Sequence, residues 1–221
     1  MSTVPLVRTR TVGRFTVHAL DAGLQRLDGG AMFGVVPKPL WERRIVPDER
    51  NRIPLAMRCL LVEHDDGLVL IDSGAGNKET EKFLSIYGIE NAGANGRTRL
   101  EDAIAAAGFS VDDVRLVINT HLHFDHAGGN TAREESGALV PSFPRARYVM
   151  HRGEYDYATH TNERTAASYF PNNFVLLADA GLVDFRDESH EIVPGIRYMA
   201  TPRPHVPQIS LRHQSARGVI R

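Results

Sequence analysis

The feature that most constrains this chain is an apolar segment that runs directly into a cluster of histidines. Residues 114–119 read VRLVIN, a short apolar run bounded by polar residues, which predicts a buried β-strand. The segment 121–126 follows at once and reads HLHFDH, so that three imidazoles and one carboxylate lie within six positions. The fold must therefore hold four polar, metal-ligating side chains at the end of a buried strand.

The rest of the sequence predicts strands that alternate with helices. Further strands are predicted at residues 14–20, 55–62, 67–71, 146–150 and 196–200, and helices at residues 79–87, 98–107 and 153–159. Thr98 and Glu101 form a capping-box pattern at the start of the second helix. A long loop rich in Gly, Pro and charges is predicted at residues 29–52. This alternation indicates an α/β (α+β) layered architecture in one domain over residues 1–221.

Composition narrows the range of partners. The chain has 26 Lys and Arg against 27 Asp and Glu, a net charge of -1, so no electrostatic footprint for nucleic acid or an anionic membrane is present. Its single cysteine, Cys59, excludes a disulfide within the chain. No stretch approaches the roughly 18–20 apolar residues of a membrane span. We therefore expect a cytoplasmic protein with a small-molecule substrate, and the sequence leaves its oligomeric state open.

The histidine cluster has the residue types and spacing of a metal site. Residues two apart on an extended strand end face the same side, so His121 and His123 can bind one ion, and Asp125 and His126 can face a second. Imidazole and carboxylate suit Zn²⁺, with Fe and Mn as less specific alternatives. A metal so held lowers the pKa of bound water to about 7 and provides a hydroxide nucleophile. Asp125 is the predicted catalytic residue, since it can both ligate metal and orient that hydroxide. A solvated histidine-rich loop is the competing interpretation, but four ligand-type residues at this spacing favour metal.

Two motifs of this chain resemble those of the metallo-β-lactamase superfamily. INTHLHFDHAGGN is similar to its second motif, whose HxHxDH residues bind one or two metals, and LVLIDSGAG is similar to its first. The resemblance runs from about residue 12 to residue 202, and GGAMFGVVPKPLWERRI and THTNERTAASYFPNNF are similar to a bacterial branch of hydrolases near the lactonases. It implies an αββα sandwich with two metals at the shared edge of its halves, and it implies that Asp72 supports the site without binding metal.

The third motif of the superfamily, typically TPGHT, departs from this pattern. The chain reads Thr201-Pro202-Arg203-Pro204-His205, which places His205 one residue past the expected ligand. We include His205 as a fifth candidate metal ligand, with an exposed tail histidine as the competing interpretation. The later aspartate that bridges the two metals and the last histidine of the family have no counterpart, so the second half of the sandwich is expected to be incomplete.

Residues 203–221 differ in composition from the body of the chain, with four arginines and no acidic residue. A frameshift just after Pro202 would explain both this composition and the altered third motif, since a one-nucleotide shift of Arg-Pro-His codons can restore Gly-His-Thr. The segment is therefore interpreted as an aberrant tail, a hypothesis that resequencing of the gene would test.

The leading functional hypothesis is zinc-dependent hydrolysis of a small ester, lactone or related acyl substrate through metal-bound hydroxide. A β-lactamase, a thioesterase and a phosphoesterase are alternatives, because one fold supports many chemistries. The non-enzyme alternative is an inactive, truncated remnant with an incomplete metal site.

Overall fold

The structure, a computed structural model, describes residues 5–201, 208–212, 214–215 and 218–219. Its strands, in chain order, are β1 (Val7–Val12), β2 (Phe15–Asp28), β3 (Arg52–Glu63), β4 (Leu68–Ile71), β5 (Val114–Ile118), β6 (Thr131–Arg133), β7 (Leu139–Pro141), β8 (Arg147–His151), β9 (Val183–Arg186), β10 (His190–Val193), β11 (Ile196–Thr201), β12 (Gln208–Arg212), β13 (Gln214–Ser215) and β14 (Gly218–Val219). Its α-helices are α1 (Gly29–Phe33), α2 (Lys38–Trp41), α3 (Glu81–Tyr87), α4 (Arg99–Ala106), α5 (Phe124–Ala127), α6 (Arg152–Thr159) and α7 (Val175–Asp179). Short 3₁₀ turns cover Ala94–Gly96, Val111–Asp113, Gly128–Asn130 and Pro171–Asn173.

The main sheet has seven strands in the order β1-β2-β3-β4-β5-β8-β9. Strands β1 to β4 pair in antiparallel fashion, whereas β4, β5, β8 and β9 are parallel to one another. Parallel strands need crossover connections, which here carry the helices between them. The carboxyl ends of β4, β5 and β8 consequently meet at one edge of the sheet, and the histidine cluster follows β5 at that edge.

Alternation along the strands divides the apolar residues between two cores. On β4, Leu68 and Leu70 belong to the larger core, whereas Val69 and Ile71 point to the smaller one on the opposite face. The strand is buried along its whole length, as expected for a parallel strand covered on both sides. The main sheet is therefore a central layer.

Different partners cover the two faces of this sheet. The larger core receives Leu100, Ala103 and Ile104 from α4, so helices cover this face. On the other face, Ile196 and Tyr198 of β11 join the smaller core, and β11 lies between β10 and β12 in a second, antiparallel sheet. Helix, sheet and sheet layers are thus present in the described residues, in agreement with the mixed α/β class expected from the sequence.

Every strand and helix predicted from sequence is present, with different bounds. The predicted capping box is confirmed: Thr98 Oγ1 accepts from the Glu101 amide, and the Glu101 carboxylate accepts from the Thr98 amide. The first strand predicted from sequence, at residues 14–20, corresponds to β2. It is longer than expected, because β2 continues past an irregularity between Asp21 and Gly23 and ends at Asp28. The long loop at 29–52 contains the two short helices α1 and α2. No helix in the described parts of the chain has the length and apolar character needed to cross a membrane.

Candidate metal centre

The site begins where β4 and β5 end side by side. Asp72 follows β4 with a positive φ of 57°, a conformation that residues other than Gly adopt only at some energetic cost. Its amide donates to the carbonyl of Ile118, the last residue of β5, at 2.9 Å. The side chain of Asp72 is thereby turned towards the segment that leaves β5, which carries the histidines.

The histidine cluster forms a compact group. The ring of His121 lies 4.6 Å from that of His123 and 4.0 Å from that of His126, between centroids. The strand ends at Ile118, so His121 and His123 lie in an irregular segment rather than in β5 itself. The residues still alternate in exposure, since Leu122 is fully buried and the two histidines that flank it are only partly buried. The structure thus brings these three histidines together.

Asp72 organises the cluster without itself being part of it. Its Oδ1 accepts from the amide of Thr120 at 2.8 Å, and its Oδ2 accepts from Thr120 Oγ1 at 2.7 Å. The same Oδ2 lies 2.8 Å from His126 Nδ1. Asp72 therefore supports the ring of His126 from behind, in accord with the supporting role that the sequence resemblance implied.

Asp125 lies beside His126 on the short helix α5 and interacts with two side chains. Its Oδ2 accepts from Gln25 Nε2 of β2 at 2.5 Å and lies 3.4 Å from His126 Nε2. Burial alone would raise the pKa of the carboxyl group, but the hydrogen bonds and charge of His126, with the bond from Gln25, lower it to about 2. Asp125 is therefore ionised at neutral pH.

The three histidines differ in their charge. Burial, followed by the charges of the neighbouring histidines, lowers the pKa of His121 to about 3, and burial also lowers that of His123. For His126, burial would lower the pKa, but the interactions with Asp125 and Asp72 outweigh it and raise the pKa to about 10. The site thus contains two neutral imidazoles and an imidazolium that is paired with two carboxylates.

These side chains fit a divalent metal in chemical type. Neutral imidazoles and an ionised carboxylate are the ligands that Zn²⁺ takes in proteins. Across the residues that the structure describes, no three His, Cys, Asp or Glu side chains form a ready-made metal site. The His126 ring carries a proton between two carboxylates, and it would have to lose that proton before it could bind a metal.

Backbone packing joins the loop after β4 to the turn after α5. The amide of Ser73 donates to the carbonyl of His126 at 2.7 Å, and the amide of Gly129 donates to that of Gly74 at 2.9 Å. Gly129 approaches this loop so closely that an added Cβ would overlap the carbonyl oxygen of Ser73. We call this contact between residues 73–76 and 128–129 the glycine contact. It fixes the position of Asp72 relative to α5.

A cavity of about 470 Å³ opens beside the cluster. His123 and Asp125 of the cluster line it, together with the polar residues Gln25, Asp28, Tyr87 and Ser168. The other lining residues are apolar and come from β2, α1, β3 and α5. They are Leu27, Ala31, Met32, Leu55, Ala56 and Phe124. The cavity can thus hold a small molecule that has both a polar and an apolar group.

Some residues of the site could not be identified from sequence. Gln25 is 3% exposed and reaches Asp125 from a strand 100 positions earlier in the chain. Tyr169 packs edge-on against the ring of His123, with 4.7 Å between centroids. In the sequence, these two positions are marked only by a polar residue and an aromatic residue, in segments that show no other sign of a functional site. His205, the fifth candidate ligand, lies outside the described residues.

Gln25 offers a test of how strictly Asp125 must be oriented. In Gln25→Leu the carboxylate loses its neutral donor while the volume of the buried side chain is nearly kept. We expect the affinity of this candidate site for a divalent metal to fall by about 10–100-fold, as is usual when the hydrogen-bond partner of a metal ligand is removed. Competition with a chromogenic chelator measures this affinity. Leu24→Ala, a change at the preceding position of the same strand, serves as the control, and an equal loss in both variants would contradict the role of Gln25.

Comparisons with known proteins identify the family to which the chain belongs. The sequence model of the metallo-beta-lactamase superfamily matches residues 54–220. An N-acyl homoserine lactonase from a Bacillus species is 27% identical over 156 residues, which are 68% of this chain and 55% of the lactonase. The chain thus spans about half the length of the curated lactonases that it matches.

Solved structures show the same relationship. A probable metal-dependent hydrolase from Staphylococcus aureus superposes with a TM-score of 0.80 at 29% identity, covering 93% of this chain and 71% of that one. A dizinc quorum-quenching lactonase in complex with a product superposes with a TM-score of 0.71 at 20% identity, covering 96% and 72%. At this identity the second similarity concerns the fold alone.

Proposed function

Because the chain belongs to the metallo-β-lactamase superfamily, we propose that it is a metal-dependent hydrolase of small esters, lactones or related acyl substrates. The observation that carries the proposal is the cluster of His121, His123, Asp125 and His126 at the edge of the sheet, beside a cavity with an apolar wall. A hydrolase of this kind needs both parts next to each other: polar groups for the reacting carbonyl and apolar surface for the acyl group.

We propose zinc as the metal, with His121, His123, Asp125 and His126 as ligands. When bound, a divalent metal supplies Lewis acidity for an acyl carbonyl and for water. Iron and manganese accept the same ligand types. A dizinc lactonase among the proteins of similar fold supports the choice of zinc over these two. His205 remains a proposed ligand.

The side chains of the site would divide the remaining tasks. His121 and His123 are held neutral by burial, so each offers a lone pair without first losing a proton. Asp125 supplies negative charge next to the reacting group and is held in place by Gln25 and His126. The apolar part of the cavity would bind the acyl portion of the substrate and exclude water from it.

The proposal is tested by metal analysis and a panel of substrates. The purified chain is loaded with Zn²⁺, its bound metal is counted, and it is assayed against p-nitrophenyl esters, γ-lactones, thioesters, a phosphodiester and a β-lactam. We expect bound zinc and turnover of an ester or lactone that stops when the metal is chelated and returns when zinc is restored. Turnover of the phosphodiester or β-lactam alone would overturn the proposed substrate class, and a chain without bound metal would overturn the metal proposal.

A substitution at Asp125 tests the catalytic role proposed for it. Asp125→Asn keeps the shape of the side chain and one oxygen but removes the charge. We expect kcat to fall by at least about 100-fold with a much smaller change in KM, as for an interaction made mainly in the transition state. Steady-state kinetics at saturating zinc gives both constants. A variant whose KM rises while kcat is unchanged would assign Asp125 to substrate binding instead.

A further inference from the structure

Glu154 is a buried acid that the proposed chemistry does not use. It lies in the first turn of α6, directly after β8, and it is 1% exposed. Glutamate is almost never fully buried unless it has a partner. Because β8 is parallel to β5 and adjacent to it, α6 begins at the edge of the sheet where the histidine cluster lies.

The partner of Glu154 is the backbone of the cluster itself. Its Oε1 accepts from the amide of Leu122 at 3.0 Å. That amide belongs to the peptide bond between His121 and Leu122, and the side chain of Leu122 is buried. A hydrogen bond at this position fixes the backbone between His121 and His123, although neither ring is touched.

Tyr169 packs against the second of these histidines, with 4.7 Å between the two ring centroids, and so limits the movement of the His123 ring. Glu154 itself contacts the backbone at Leu122. Its place near the amino end of α6 favours an acid on electrostatic grounds, but this does not explain why the side chain turns inward to Leu122.

We infer, on the basis of the metal site proposed above, that Glu154 is a positioning residue that sets the spacing of His121 and His123 by holding the backbone between them at the Leu122 amide. The acceptor oxygen, and not the charge, performs this role. A neutral acceptor of the same length is therefore sufficient, whereas a shorter acid is not, because it does not reach the Leu122 amide.

Two variants distinguish the effect of the acceptor oxygen of Glu154 from the effect of its charge. Glu154→Gln keeps an oxygen at the same distance and removes the charge, while Glu154→Asp keeps the charge and withdraws the oxygen by one methylene. Full-length protein is titrated with Zn²⁺ against a chelator and with Co²⁺, whose visible spectrum reports ligand geometry. We expect Glu154→Gln to bind within about threefold of the wild type, and Glu154→Asp to bind about 10–100-fold more weakly, with an altered Co²⁺ spectrum. Glu163→Gln, at an exposed glutamate, is the control.

Other outcomes have distinct meanings. Unchanged metal affinity and Co²⁺ spectrum in Glu154→Asp, even with a lower melting temperature, would overturn the positioning role and leave Glu154 a structural residue. Should neither variant fold, hydrogen exchange of the Leu122 amide in the wild type decides, since exchange as fast as in an open loop overturns the inference and protection supports it. A wild type that binds neither metal would overturn the proposed metal site itself.

Discussion

His121→Ala and His123→Ala are each expected to lose most of their bound zinc and to abolish measurable hydrolysis. Either change removes one of the two neutral imidazoles of the cluster, the groups most ready to bind a metal. Removal of an outer partner typically costs about 10–100-fold in metal affinity, and the loss of a ligand should exceed this. Metal content after dialysis, measured by atomic emission, and ester turnover at saturating zinc test the two parts of the expectation.

A matched control for these variants is His160→Ala. His160 is exposed and lies at the carboxyl end of α6, outside the cluster. We expect its substitution to leave zinc content and turnover at wild-type levels. Wild-type zinc content in both His121→Ala and His123→Ala would remove the basis of the site assignment.

Gly129→Ala is expected to lower stability by about 3 kcal/mol, the upper end of the usual range for overpacking. The added Cβ overlaps the carbonyl oxygen of Ser73, and backbone atoms on both sides of the glycine contact cannot move aside as a flexible side chain does. Domains are stable by only about 5–15 kcal/mol in total. In a chain of this size each kcal/mol shifts Tm by about 2–4 °C, so thermal melting should show a fall of roughly 6–12 °C.

Gly30→Ala provides the comparison for this prediction. An added Cβ there would meet Oδ1 of the Asp28 side chain at 3.0 Å, and this atom needs to shift by only a few tenths of an ångström. We expect a change in Tm of no more than about 2–4 °C, equivalent to about 1 kcal/mol. Similar melting temperatures for Gly129→Ala and the wild type would mean that the two loops are not held together as closely as the structure describes.

The sequence revealed the part of the site that is contiguous in the chain. The three histidines and the aspartate of HLHFDH are neighbours in sequence. Their spacing alone predicted that His121 and His123 face the same side of the chain. Asp72 was recognisable by its place after an apolar strand. The parallel order of β4, β5 and β8 did not follow from periodicity, because alternation assigns residues to faces but does not say which strand lies next to which.

The supporting residues were beyond prediction for a related reason. Gln25 and Glu154 contribute through single hydrogen bonds across the fold, and neither residue type signals such a bond locally. The continuation of β2 was also hidden, because its polar residues Asp21 and Gln25 interrupt the apolar pattern of a strand. Both are buried, and in the folded protein each has a specific partner, Arg99 and Asp125 respectively.

The meeting of strand ends at one edge of the sheet also bears on how the protein folds. The bonds that shape the site join residues far apart in sequence: 48 positions between Asp72 and Thr120, 32 between Leu122 and Glu154, and 100 between Gln25 and Asp125. Contacts of such separation form slowly, since the entropy of closing long loops must be overcome before they contribute. The ends of β4, β5 and β8 must already be adjacent when these bonds form. Metal capture should therefore be a late event that follows assembly of the sheet, and in refolding experiments it would mark chains that have finished folding rather than seed the process.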